Sequence, residues 1–201
     1  MTTALLSSAY CAPVQWFQKL NRYDMVMVEQ YDNFLKQTYR NRCIIATANG
    51  TQALTIPVER PAGEKCLMRD VRISDHGNWR RLHWNALATA YGDSPFFDYY
   101  VDDLHPLFAK KREFLFDFNM EMTEVLCELL DIRPKISLTT SYVDEAENDF
   151  RDAIRPKHPL PDSDFEPVQY YQVYSQRHGF IPNLSILDLL FNMGNEAVFY
   201  L

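Results

Sequence analysis

The chain has few of the residues that would announce a specialised class. Its four cysteines, Cys11, Cys43, Cys66 and Cys127, lie far apart with no Cys-x-x-Cys pair, which argues against a structural zinc site or a disulfide framework and for free thiols in a reducing compartment. Six glycines and eleven prolines in 201 residues leave no room for a repeat or low-complexity architecture. No apolar run approaches the roughly 20 residues that cross a bilayer, and the opening Met-Thr-Thr-Ala-Leu-Leu-Ser-Ser has neither the basic start nor the long apolar core of a secretion signal. The expectation is a cytoplasmic protein without membrane insertion. Positive charge is also short: the formal charge is −7, so the counterion-release term that drives nucleic-acid binding has no basic face to act through. Phosphate-loop, dinucleotide, nucleophile-elbow and His-Glu-x-x-His motifs are absent as well, which removes the usual warrant for several enzyme classes and names no cofactor and no metal.

What remains is a composition fit for a folded domain, 47% apolar and 14% aromatic, long enough for one well-buried core. The expected organisation is a single domain over 1–201. A loop or flap excursion is expected over 144–167, where acids and then prolines crowd and regular structure is disfavoured. That segment reads either as a cover over a site or as a solvated connection.

Two apolar runs, Ala4–Leu6 and Met25–Val28, flank a helical stretch that Pro13 opens and that carries Val14, Trp16, Phe17 and Leu20. Strand, loop, helix and strand within about thirty residues make a βαβ unit, which places the loop Ser7–Ala12 at the carboxyl edge of the sheet, where ligands usually sit. Cys43–Ala46 and Ala53–Ile56 surround Asn49-Gly50, a dipeptide suited to a tight hairpin turn. The fold class expected is therefore α/β: a mixed sheet that starts with a βαβ unit and contains an antiparallel hairpin, packed by helices in two or three layers.

The stretch Arg69–Tyr91 is the focus of the chain, with four arginines and two of the five histidines in 23 residues. Val71 and Ile73 alternate with polar neighbours as in a half-buried strand, Asp75-His76-Gly77 makes a turn, and Asn78 is placed to cap a helix. That helix turns Trp79, Leu82, His83, Ala86, Leu87 and Ala90 to one face. A basic joint between strand and helix commonly receives an anion. Arg40, Arg42 and Lys36 form an earlier basic cluster, which is read either as solvated charge at a strand entrance or as one half of a pocket completed by Arg72 and Arg80. Guanidinium groups suit phosphate or carboxylate because they pair with oxyanions through parallel hydrogen bonds.

Further helices are expected from Ser94-Pro95 through the aromatic Phe96, Phe97, Tyr99 and Tyr100, from Pro106 to about Ile132, and from Asn183 to Met193 with Gly194 as its stop. Ile136–Tyr142 and Val168–Tyr174 have strand character. Arg60–Cys66, with Pro61 and Gly63, reads as a loop.

The proton-transfer candidates are His76, beside glycine in a loop, and His83, on an apolar face where a histidine is commonly a packed core residue. Cys11, close to a helix start, is read either as a thiolate nucleophile or as a small buried apolar group. Tyr10, Tyr39, Asn78 and Trp79 join Lys36, Arg40, Arg42, Arg72 and Arg80 as substrate-binding candidates.

Five segments together resemble the WbqC-like family: Tyr39-Arg40-Asn41-Arg42; Val71-Arg72-Ile73-Ser74; Trp79 to Trp84; Ala90-Tyr91 followed by Pro95-Phe96-Phe97; and Leu184 to Gly194. The resemblance runs in order over most of the chain and is weakest over 144–180. It implies a part in bacterial surface-polysaccharide synthesis and transfer of an acyl or aminoacyl group to an amino sugar carried on a nucleotide. The family often has a His-Gln-Pro element after its first strand. Here Ser7-Ser8-Ala9-Tyr10-Cys11-Ala12-Pro13 stands in its place, so the family's catalytic roles do not transfer directly. The expected partner is an anionic small molecule such as a sugar nucleotide. The alternatives are a noncatalytic module that binds a sugar nucleotide or a partner enzyme, and a nucleotidyltransferase-like enzyme.

Overall fold

A parallel three-stranded sheet ordered β1-β2-β5 forms the base of the molecule. In this computed structural model, which describes residues 2–59 and 65–201, β1 is Thr3–Ser7, β2 is Met25–Glu29 and β5 is Ile136–Leu138. Helix α1, Val14–Arg22, crosses between the first two strands, and the register pairs Thr3 with Met25 through Ser7 with Glu29. The βαβ unit is thus in place. The antiparallel hairpin is also there: β3, Arg42–Thr47, pairs with β4, Gly50–Thr55. It stands as its own two-stranded sheet rather than joining the parallel one. The positive φ of its turn falls on Gly50, at 109°, a conformation that glycine adopts without steric cost.

Helices pack around both sheets. They are α2 (Trp79–Tyr91), α3 (Phe97–Ala109), α4 (Leu115–Leu129), the single turn α5 (Ser175–His178) and α6 (Ile186–Met193). Apolar residues alone do not explain α1, whose Gln15, Gln18 and Lys19 are as buried as Trp16 and Phe17. The returning C-terminal segment covers its polar side and supplies the partners: Gln15 and Lys19 donate to Asp162, and Gln18 donates to the Tyr200 carbonyl. Ser185 caps α6 by accepting from the Leu187 amide. Gly194 ends the helix at φ 57°, where a Cβ would meet the Phe96 ring at 2.6 Å.

Several expectations need correction. Val71–Ser74 is extended and buries Val71 and Ile73, but it makes only isolated bridges, Ile73 with Val58 and Arg72 with Phe114. The side chain of Asn78 does not cap α2, because the residue itself sits in the left-handed region at φ 49° behind a 3-10 turn over 76–78. Leu82 lies on the outer face, 58% exposed. Pro106 starts no helix; it sits inside α3, on an exposed side where water can satisfy the carbonyl that loses its donor. Val168–Tyr174 buries Tyr170 and Gln172 without forming a strand. The loop expected from Arg60 lies, over 60–64, outside the described residues.

Segment 144–167 has no helix and no strand beyond an isolated bridge. It is nonetheless tied down. The Leu5 amide donates to the Asn148 carbonyl at 2.9 Å, the Phe150 amide donates to the Leu5 carbonyl at 3.0 Å, and Phe150, Ala153 and Ile154 are buried. This stretch extends along the free side of β1.

Candidate active site at the carboxyl edge of the parallel sheet

All three parallel strands end in polar groups on one edge. Ser7 closes β1, Glu29 closes β2 and Thr139 follows β5. Glu29 is fully buried and accepts from the Tyr31 amide at 2.7 Å, the Thr139 hydroxyl at 2.8 Å and the Val143 amide at 2.9 Å. That carboxylate locks the strand ends together. Asn119 of α4 reaches in from the other side, donating to the Arg40 carbonyl at 2.8 Å.

Arg40 is held over this edge. Its guanidinium donates to the Ser7 hydroxyl at 2.9 Å and to the Asp32 carboxylate, and both charged side chains are more than nine-tenths buried. Among the described residues Arg40 Nε and Asp32 Oδ1 are buried without a hydrogen-bond partner. Buried polar atoms are nearly always satisfied, so two orphans on one ion pair make this the candidate position for another group. Burial pushes the Asp32 carboxyl above its usual range, and the opposing pull of Arg40 does not offset this.

In front of the pair opens a cleft of about 370 Å³, within the range of small-molecule sites. Tyr142, Asp144 and the stretch from Asp149 to Arg155 form its far wall. Arg151 donates to Asp149 at 2.6 Å, lies 3.7 Å from Glu29 and stacks over Tyr142. Arg155 pairs with Asp152, and its Nε has no partner among the described residues. Three arginines and four aspartates line the cleft, so its field is mixed rather than simply positive.

The basic clusters expected to meet in one pocket do not. Of the arginines proposed from sequence, only Arg40 lies at this cleft, with Tyr39 buried beside it. Arg72 is exposed, pairs with Glu113 and stacks on Phe114. Arg42 donates to the Thr55 hydroxyl on the hairpin, and Lys36 faces solvent. Arg80 pairs with Asp75 beside Asn78 in a different groove, stacked on the ring of the buried Trp79.

The proposed proton-transfer residues are also elsewhere. His76 is exposed in the turn before α2. Cys11 is buried at φ 41°, and burial pushes its thiol well up. Of the two readings of this residue, that is the small buried apolar group and not the thiolate. His83 is a core residue, whose Nδ1 lies 3.0 Å from the Tyr10 hydroxyl. Burial brings its pKa down to about 4 despite a bond to the Thr55 backbone. Its neutral form therefore supports the fold at pH above the unfolded value of about 6.5, and that support is lost as pH falls from 6.5 to 4. A His83→Gln variant is expected to lose about 3 kcal/mol less stability than the parent over that window, read from urea midpoints at several pH values.

Asp32, Glu29, Asn119, Arg151 and Arg155 were missed from sequence. The available signal was the alternation Asp149-x-Arg151 and Asp152-x-x-Arg155, which put arginines inside an acidic run.

The fold is mixed α/β, with a doubly polar cleft at the carboxyl edge of a short parallel sheet that follows a βαβ unit, the place where such folds commonly take ligands. The chain belongs to the WbqC-like protein family, whose model matches residues 8–155 and 162–200. The matched range includes Glu29, Asp32, Arg40, Arg151 and Arg155. The chain is also similar to the uncharacterized protein Rv1507c of Mycobacterium tuberculosis, 25% identical over 98% of this chain and 96% of that protein. No solved structure matches. Among the described residues no helix is long and apolar enough to cross a membrane, and no cluster of potential metal ligands occurs.

Proposed function

We propose that the protein is a cytoplasmic transferase of bacterial surface-polysaccharide synthesis that moves an acyl or aminoacyl group onto the amine of a nucleotide-linked amino sugar, bound in the sheet-edge cleft. The observation that carries this reading is the buried Arg40–Asp32 pair with an orphan atom on each partner. A nucleotide-linked amino sugar carries both phosphate and ammonium, and a cleft lined by both guanidinium and carboxylate groups complements both. Arg155 and Arg40 take phosphate oxygens. Asp32, its pKa raised by burial, is a stronger base than a solvent-exposed carboxylate and is placed to accept a proton. In the transfer, the ammonium first gives a proton to Asp32, and the freed amine nitrogen attacks the carbonyl carbon of an activated acyl donor to form the new C–N bond. The bond from that carbon to its leaving group breaks, and the leaving group departs with the electron pair and takes up the second N–H proton.

The test incubates the protein with UDP- and dTDP-linked amino sugars and activated acyl donors and reads product by mass spectrometry. Asp32→Asn, which keeps a hydrogen bond to Arg40, is expected to lower kcat by about a hundredfold or more. Arg155→Ala is expected to raise KM about tenfold. A second reading, a noncatalytic sugar-nucleotide module, draws on the distance of His76, His83 and Cys11 from the cleft. Firm binding that depends on Arg155 with no product from any donor would establish it, and binding indifferent to Arg155 would overturn both.

A further inference from the structure

A separate groove of about 310 Å³ opens between the start of α2 and the end of α3, and it shares no lining residue with the sheet-edge cleft. Helical spacing puts Arg80 and Trp84 on one side of α2 with Arg81 adjacent. His105 of α3 and Lys111 just beyond it form the opposite wall. In a chain of charge −7, this is a place where cations outnumber acids.

Asp75 is the counter-charge, accepting from Arg80 Nη1 at 2.7 Å and from Lys111 at 2.6 Å. One carboxylate is thus divided between two cations. Arg81 is exposed and makes no ion pair or hydrogen bond among the described residues. Arg80 is fixed in orientation, its guanidinium 4.6 Å from the Trp79 ring. Its Nη2 is buried and has no partner among the described residues. Trp84 is half-buried, braced by the rings of His105 at 4.8 Å and Phe108 at 5.6 Å, and its remaining surface lines the groove.

A single carboxylate brings one negative charge to these cations, as Asp75 already does. A di- or triphosphate spans several and brings more than one negative charge, and guanidinium groups match its oxygens in pairs. A planar base stacks on indole without regard to its hydrogen-bonding edge. We infer that the groove is a second binding site, for a nucleotide whose phosphates rest on Arg80, Arg81 and Lys111 and whose base lies against Trp84. This goes beyond the sheet-edge reading and does not depend on it.

The test is calorimetric titration of the full chain with ADP, and separately with pyrophosphate and adenosine. Arg81→Glu and Lys111→Ala alter exposed side chains, so the variants fold, and each is expected to raise the ADP Kd about tenfold or more. Trp84→Leu is expected to weaken ADP and leave pyrophosphate unchanged. Arg72→Ala, at a residue that lines neither cleft and is paired with Glu113, is expected to leave the ADP Kd unchanged. No ADP binding to the parent, an ADP Kd indifferent to Arg81→Glu, or an ADP Kd raised as much by Arg72→Ala as by Arg81→Glu would overturn the site. Pyrophosphate binding as tightly as ADP would overturn the base contact.

Discussion

Lys19→Met is expected to destabilise the fold by about 3–5 kcal/mol. The ammonium group of Lys19 is wholly buried on α1, 2.9 Å from Asp162, whose side chain is itself 4% exposed, and it lies 4.1 Å from the centre of the Phe150 ring. Methionine fills much the same volume, so the loss comes from a carboxylate left in the interior without its cation, bonded still to Gln15. The double variant Lys19→Met/Asp162→Leu is expected to recover most of the stability, because replacing a whole buried pair by apolar groups is often close to neutral. Chemical denaturation of the three proteins checks this. A single variant as stable as the parent would show that the C-terminal segment is not fastened through this pair.

A loss of similar size, about 3–5 kcal/mol, is expected for Asp188→Ala. Its carboxylate is fully buried and accepts from the Tyr91 hydroxyl at 2.9 Å, the Tyr170 hydroxyl at 2.7 Å and Gln172 Nε2 at 2.9 Å. Alanine leaves three donors without an acceptor and opens a void. Asp188→Asn separates the charge from the packing. Burial raises the Asp188 pKa to about 6, against the pull of those same bonds. The folded state therefore holds its proton more tightly than the unfolded chain does. Its contribution to stability is fully present below the unfolded value of about 3.9 and is lost as pH rises from 4 to 6. His83 acts in the opposite direction over nearly the same window. In Asp188→Asn the opposing term is gone, and the variant is expected to fall behind the parent by about 3 kcal/mol more at pH 4 than at pH 7. A gap that does not change with pH would show that Asp188 does not titrate in this window.

Where apolar runs met well-defined turns, the sequence was legible. Ala4–Leu6, Met25–Val28 and the hairpin around Asn49-Gly50 each specify their own pairing through local pattern and turn chemistry. Period-two burial was also read correctly at Val71 and Ile73, and the strand character read at Val168–Tyr174 corresponds to a stretch that buries Tyr170 and Gln172 without forming a strand, but such patterns report which way side chains point, not what the backbone pairs with. Gln172 is held by its side chain, which bonds Ile181 and Asp188, where a strand would use a neighbouring ladder. Pro106 misled because its missing N–H usually ends or starts a helix, and only the solvent exposure of that face makes it tolerable inside α3. The proposed arginine pocket failed for a physical reason of the same kind. Arg72 and Arg80 are each neutralised by an acid, Glu113 forty-one residues away and Asp75 five residues away, and sequence spacing does not reveal which acids fold against which cations. Arg40 was found because it sits in a dense basic motif, whereas Arg151 and Arg155 were hidden among acids.

The start of α6 has a consequence for how the chain is made. Ser185 donates its amide to Ile44 and its hydroxyl to the Cys11 carbonyl, across 174 positions, and the Ile186 amide donates to Ala12. Cys11 and Ala12 therefore wait for residues made some 174 positions later before their loop is satisfied. Contacts of such long sequence separation slow folding, and a nascent chain halted before residue 185 would display an unfinished N-terminal half to chaperones rather than a finished module.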